Sequence, residues 1–144
     1  METFDIETLG ARKRQAFEAA LLMAKKSEAF FRHGSILFKG QKHYGFGFNA
    51  YRIVGWAWPS YVTRRNDTVR PRLFNMHAEI SCMHNIPRDK ILGSDIFVVR
   101  IGRDSQILNS LPCPSCQRVM KKKGVRKCFF SMDAKKIGMM RMSS

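Results

Sequence analysis

Acidic residues are scarce in this sequence: 11 Asp and Glu stand against 26 Lys and Arg, a formal charge of +15 at pH 7. That imbalance points to an anionic partner, because phosphate on a nucleotide or along a nucleic-acid strand binds through the same Lys and Arg contacts. A basic surface that serves solubility alone would give the same count. No apolar run reaches the roughly 18 residues that mark a membrane helix, and Met1–Asp5 lacks the basic-then-apolar layout of a secretory leader. No membrane partner is expected, and the expected location is the cytoplasm. Internal repeats, low-complexity stretches and domain boundaries are also missing, while 144 residues at 44% hydrophobic content suffice for one globular domain over 1–144. Cysteine is sparse too, with four in all. Two of them sit as Cys113-Pro114-Ser115-Cys116, a spacing that suits metal or redox chemistry better than a disulfide framework.

Residues 8–31 place Ala16, Phe17, Ala20, Leu21 and Ala24 at helical spacing behind Thr8 as N-cap, which predicts an amphipathic first helix. His33-Gly34 breaks that pattern, and Ser35–Phe38 and Tyr44–Asn49 flank a turn at Lys39–Gln41, the punctuation of a β-hairpin. Residues 50–73 show no clean period, contain Trp56, Trp58, Pro59, Tyr61 and Pro71, and collect Arg52, Arg64, Arg65, Arg70 and Arg72. They read as a long functional loop, whose aromatics either stack on a base or pack, and whose arginines suit phosphate. A short helix over 76–86, stopped by Pro87, and a β-branched strand over 95–101 follow. Then come a helix over 113–123 closed by Gly124, a strand over 127–132 and a last strand over 137–142. Only Asp133–Lys136 joins the last two strands, which is too short for a parallel crossover and predicts an antiparallel hairpin. The order is helix, two strands, helix, strand, helix, two strands. It predicts an α/β/α sandwich around one five-stranded mixed sheet with an antiparallel C-terminal hairpin.

The chemistry is carried by His77-Ala78-Glu79 and, 33 residues after Glu79, by Pro112-Cys113-Pro114-Ser115-Cys116. Catalytic zinc takes three protein ligands and keeps one position open, and two thiolates with one imidazole supply such a set. A lone C-x-x-C is more often a structural zinc knuckle or a redox pair, and a lone H-x-E is common by chance. Joined in this order, each at a predicted helix start with a strand between them, they resemble the signature of the zinc-dependent cytidine/deoxycytidylate deaminase superfamily. The element order is similar to the cytidine deaminase fold over nearly the whole chain.

The resemblance implies Zn2+ held by His77, Cys113 and Cys116, with Glu79 moving protons during conversion of cytosine to uracil. Helix starts favour thiolate forms, which agrees with that ligand set. It further implies substrate contacts at Phe48, Asn49, Ala78 and Pro112. Asn49 looks like the strand-end asparagine that contacts the sugar in several members, although an asparagine there could equally cap a turn. Members acting on nucleic acids, deoxycytidylate or guanine have a parallel final strand, whereas free-cytidine and blasticidin-type enzymes have the antiparallel hairpin that residues 126–142 resemble. Against that, the nucleoside enzymes tend to carry cysteine where His77 stands, and a neutral nucleoside has no need of +15.

The expected partner is therefore a cytidine nucleoside or nucleotide, with single-stranded DNA or RNA as runner-up and a non-catalytic zinc nucleic-acid-binding module third. Relatives commonly assemble, so a homo-oligomer stays open. Of the remaining candidates, Cys82 and Cys128 are expected in the core and His84 at the surface or behind the site. His33 and His43 bracket the first strand, where either could contact phosphate, and are expected in solvated loops, with Lys121–Lys123, Arg126 and Lys127 as a solvated helix end.

Overall fold

The computed structural model describes residues 1–29, 31–54 and 72–142. The run Asp95–Ile101 is buried along nearly its whole length, so it needs cover on both faces, and this strand, β6, takes the middle of the sheet. The other strands of that sheet are β1 (Glu2–Asp5), β2 (Arg32–Lys39), β3 (Lys42–Phe48), β7 (Ile107–Leu108), β8 (Lys127–Ser131) and β9 (Lys136–Arg141). Their order is β1-β9-β8-β6-β2-β3, with β7 paired to β6. The β6–β8 pair is parallel and the other pairs are antiparallel, including the β8–β9 hairpin expected from its short link.

The sheet thus has seven strands among the described residues, not five. The five expected strands form its contiguous centre. The two additions are a short edge strand, β1, and the two-residue β7, neither long enough to display a hydrophobic period.

Helix α1 (Ala11–Lys26) covers one face of the sheet, where Phe17, Ile36, Phe38, Phe97, Val99 and Phe129 pack together. The other face buries Leu37, Ile96, Val98, Cys128 and Phe130. It is covered by α2 (Ala78–Met83) and α4 (Pro114–Lys123), with a short α3 (Arg88–Ile91) between them in sequence. This is the expected α/β/α sandwich. Gly124, at φ 90°, closes α4 in the left-handed conformation that favours glycine.

Several local expectations are corrected. Helix α1 is capped by Gly10, and Thr8 lies in a 3-10 turn (Ile6–Thr8), where its hydroxyl donates back to the Asp5 carbonyl at 3.1 Å. His33-Gly34 lies inside β2. A Cβ at Gly34 would overlap Ala20 O and Ala24 N, so this glycine marks the point where α1 lies directly on strand backbone. Residues 50–73 were expected to be loop throughout, yet β4 (Ala50–Val54) and β5 (Arg72–Met76) pair antiparallel, Ile53 opposite Leu73 and Arg52 opposite Phe74. Residues 55–71, and with them Trp56, Trp58, Pro59, Tyr61, Arg64, Arg65, Arg70 and Pro71, lie outside the described residues. Among the described residues no helix is long and apolar enough to cross a membrane.

Candidate active site

Two helix starts meet on one face of the sheet. His77 is the N-cap of α2 and Cys113 the N-cap of α4, both with extended backbone, and Pro114 fills the first helical position where its missing N–H is harmless. Cys116 lies one turn into α4, three residues on, so its thiol shares a helix face with that of Cys113. His77 Nδ1 stands 3.3 Å from Cys116 Sγ and 3.6 Å from Cys113 Sγ. All three donor atoms lie within 4.8 Å of one another, an arrangement that could hold a metal ion. Bonds of roughly 2.3 Å to sulfur and 2.0 Å to nitrogen at a tetrahedral angle put such atoms about 3.6 Å apart, so the set fits zinc. Burial, reinforced by the charge of Glu79, pushes the Cys116 thiol well above its usual value. A divalent cation among the sulfurs reverses that balance and stabilises thiolate.

Glu79 sits on the first turn of α2 with 4% of its surface exposed and lines the same site as His77 and Cys113. The seat of α2 explains how a carboxylate comes to be held there. Ser35 Oγ donates to the Ala78 carbonyl at 2.6 Å, and Gly47 on β3 offers bare backbone beneath the helix. A Cβ at Gly47 would come within 2.5 Å of both Ala78 O and Cys82 N. The approach to Cys113 is tied down by Ser110, whose hydroxyl donates to the Val98 carbonyl and accepts from the Ser131 N–H, each at 2.8 Å.

Between these elements opens a cavity of about 300 Å³. His77, Ala78, Glu79, Cys113 and Asn49 line it, so these expected residues come together, with Cys116 joined to them through His77. Phe48 and Pro112 are not among the described lining residues. Pro112 is buried, and its carbonyl accepts from Gln117 Nε2 at 2.8 Å at the start of α4. The Asn49 side chain braces the cavity rim: Oδ1 accepts from the His33 N–H and the Ser27 hydroxyl, both at 2.8 Å, and Nδ2 donates to the Phe31 carbonyl.

Four further lining residues, Phe31, His33, Arg100 and Ser110, were not anticipated as part of a site. His33 and Arg100 are direct cross-strand partners on β2 and β6, in line with Ser35 and Val98, where the sheet face runs out past the helix starts. The period-two pattern of His33, Ser35 and Leu37 against Ile96, Val98 and Arg100 was the signal that could have found them. Burial holds the His33 imidazole below its usual value, against the upward pull of Glu79.

Other side chains stay out of the site. His43 lies in β3, not in a loop, with its ring edge-on to Phe38 and Phe46. His84 caps the C-terminus of α2 at the surface. Cys82 and Cys128 are core residues as expected, and burial pushes the Cys82 thiol up to about 12. Lys121, Lys122 and Lys123 form the exposed last turn of α4.

No protein-family model matches the chain, and no curated protein does. Solved structures do. A cytidine deaminase from Burkholderia pseudomallei superposes with TM-score 0.59 at 17% identity, over 90% of this chain and 91% of the other. A mutant cytidine deaminase from Mycobacterium tuberculosis gives TM-score 0.53 at 12% identity, over 92% and 93% of the two chains. A dCMP deaminase from the cyanophage S-TIM5, solved with dCMP and dUMP, gives TM-score 0.48 at 18% identity, over 83% and 81%. The fold is thus that of the cytidine deaminases, and it carries a His-Cys-Cys set able to coordinate a metal.

Proposed function

We propose that this protein is a zinc-dependent hydrolytic deaminase that converts cytosine to uracil in a cytidine or deoxycytidine nucleoside or nucleotide. The observation that carries this reading is the buried Glu79 carboxylate beside three candidate ligands, of which His77 and Cys113 line the same cavity of about 300 Å³. A structural zinc knuckle closes its metal with four protein ligands and has no use for a buried carboxylate at its side. The likeness in fold to cytidine deaminases supports the same reading.

Within it, His77, Cys113 and Cys116 would hold the zinc, which would supply Lewis-acid polarisation of water near neutral pH. Glu79, which lines the same cavity, would accept a proton from the attacking water as its oxygen adds to C4 of the ring. It delivers the proton to N3 and carries a second one to the amino group, which leaves as ammonia, so that cytosine and water give uracil and ammonia. Ala78 and Asn49 form part of the wall against which the nucleoside would lie, and Phe48 and Pro112 are the chain neighbours of the lining residues Asn49 and Cys113.

The antiparallel β8–β9 hairpin favours a monomeric substrate, whereas the +15 charge favours one that bears phosphate, single-stranded DNA or RNA included. The test is ammonia release and base conversion on cytidine, deoxycytidine, their 5′-monophosphates and single-stranded oligonucleotides, alongside elemental analysis. Turnover on a cytosine substrate with one zinc per chain is expected, and the Cys113→Ser, Cys116→Ser double variant should lose both. Full zinc in that variant would place the metal elsewhere. Silence on every substrate would reject the deaminase.

A further inference from the structure

Arg100 has a chemistry that the deamination step does not use. It stands near the end of β6, opposite His33, on the sheet face that buries Ile96 and Val98 under the helices. One step past the helix starts the same face becomes the cavity wall, and Arg100 lines it. Its guanidinium carbon lies 4.7 Å over the centre of the Phe31 ring, a stack that fixes the plane of the fork and leaves its N–H edge for another group. Nε is buried and has no hydrogen-bond partner among the described residues, and none of the described ion pairs includes Arg100. A buried charged donor without an acceptor is a standing cost in a folded protein, relieved when an acceptor arrives.

Resting on the deaminase reading, we propose that Arg100, held flat on Phe31, receives the 5′-phosphate of the substrate and makes the enzyme selective for a cytosine nucleotide over the free nucleoside. The fork's Nη nitrogens offer paired N–H donors that match two phosphate oxygens, and neither a sugar hydroxyl nor the neutral base offers the negative charge that makes such bonds strong. The cavity is polarised to suit. Glu79, the one carboxylate among its described lining residues, lies on the helix that carries His77, and Arg100 supplies the positive charge.

The experiment compares cytidine and deoxycytidine with their 5′-monophosphates on the zinc-loaded protein, by kcat/KM and by calorimetric binding, in wild type, Arg100→Gln and Arg100→Lys. Wild type should prefer the monophosphate by roughly tenfold or more. The ratio of monophosphate to nucleoside should collapse toward one in Arg100→Gln, while Arg100→Lys keeps part of it because the charge remains and the fork is lost. Inorganic phosphate should compete with the monophosphate in wild type and much less in Arg100→Gln. An equal loss on both substrates, an unchanged ratio, or no preference in wild type overturns the proposal. A cytosine inside an oligonucleotide offers singly charged diesters in place of the doubly charged monoester, so tighter binding of the oligonucleotide overturns the assignment to a mononucleotide. Zinc content and thermal unfolding verify that the variants fold, and if Arg100→Gln does not, Arg100→Lys and the phosphate competition decide. Absence of turnover with a preserved, Arg100-dependent preference in calorimetry would reject the deaminase and keep the phosphate site.

Discussion

Glu79 and His33 face the same cavity with opposite electrostatic needs. Glu79 is buried next to a thiol and two other candidate ligands, and its proposed task is proton transfer. Glu79→Ala should therefore keep zinc and fold but lose turnover by on the order of 10² or more. Steady-state kinetics beside elemental analysis measure this, and near-normal turnover would end that role. His33 is kept neutral by burial, so its folded value lies below the 6.5 of an exposed imidazole. The unfolded chain then binds the extra proton first, and stability falls as pH drops from about 6.5 toward the folded value, being fully present above that window. Denaturant unfolding of the zinc-free protein from pH 7.5 to 5 should show a steeper loss in wild type than in His33→Asn, and parallel curves would remove His33 from the account. The His-Cys-Cys cluster able to hold a metal was legible in the sequence because each half is a local motif at a helix start. His33 and Arg100 were not, because the register of β2 against β6 brings them together and His33-Gly34 reads locally as a break.

The helix that carries His77 and Glu79 is only six residues long, so its position depends on what it lies on. Gly47 supplies that seat. A methyl group there would press on Ala78 O and Cys82 N at 2.5 Å, and the backbone of α2 would have to move. Gly47→Ala should cost about 1–3 kcal/mol, the usual range for overpacking. It should also weaken zinc, which denaturant unfolding and chelator competition can measure together. Lost stability with unchanged zinc affinity would mean that α2 does not hold the site in place. At this scale the sequence was read well where apolar periods are long, as in α1 and β6, and poorly where elements are short. Ala50–Val54 and Arg72–Met76 become strands through pairing with each other across the intervening residues, a partnership that neither segment announces alone.

The charge of +15 belongs to the molecule as a whole. If it serves a polymeric substrate, binding should fall steeply with salt, by a logarithmic slope of roughly 0.7 for each phosphate contacted on a single strand, whereas a monophosphate should give a shallow slope. Titration of both ligands over a salt series reads this directly, and slopes equally shallow for the two would make the charge a matter of solubility. The layered architecture was legible from the order of elements, while the outer extent of the sheet was not, since β1 reveals itself only by pairing Glu2 with Met139 and Asp5 with Lys136. That pairing sets an order of events during synthesis. Of the strands in this sheet β1 is translated first and β9 last, so β1 leaves the ribosome with its hydrogen-bonding edge bare and waits for nearly every other residue to follow. Until β9 is in place the edge of β8 that it covers is bare as well, and a released chain truncated short of Lys136 presents two open strand edges, the template on which chains pair with one another instead of with themselves.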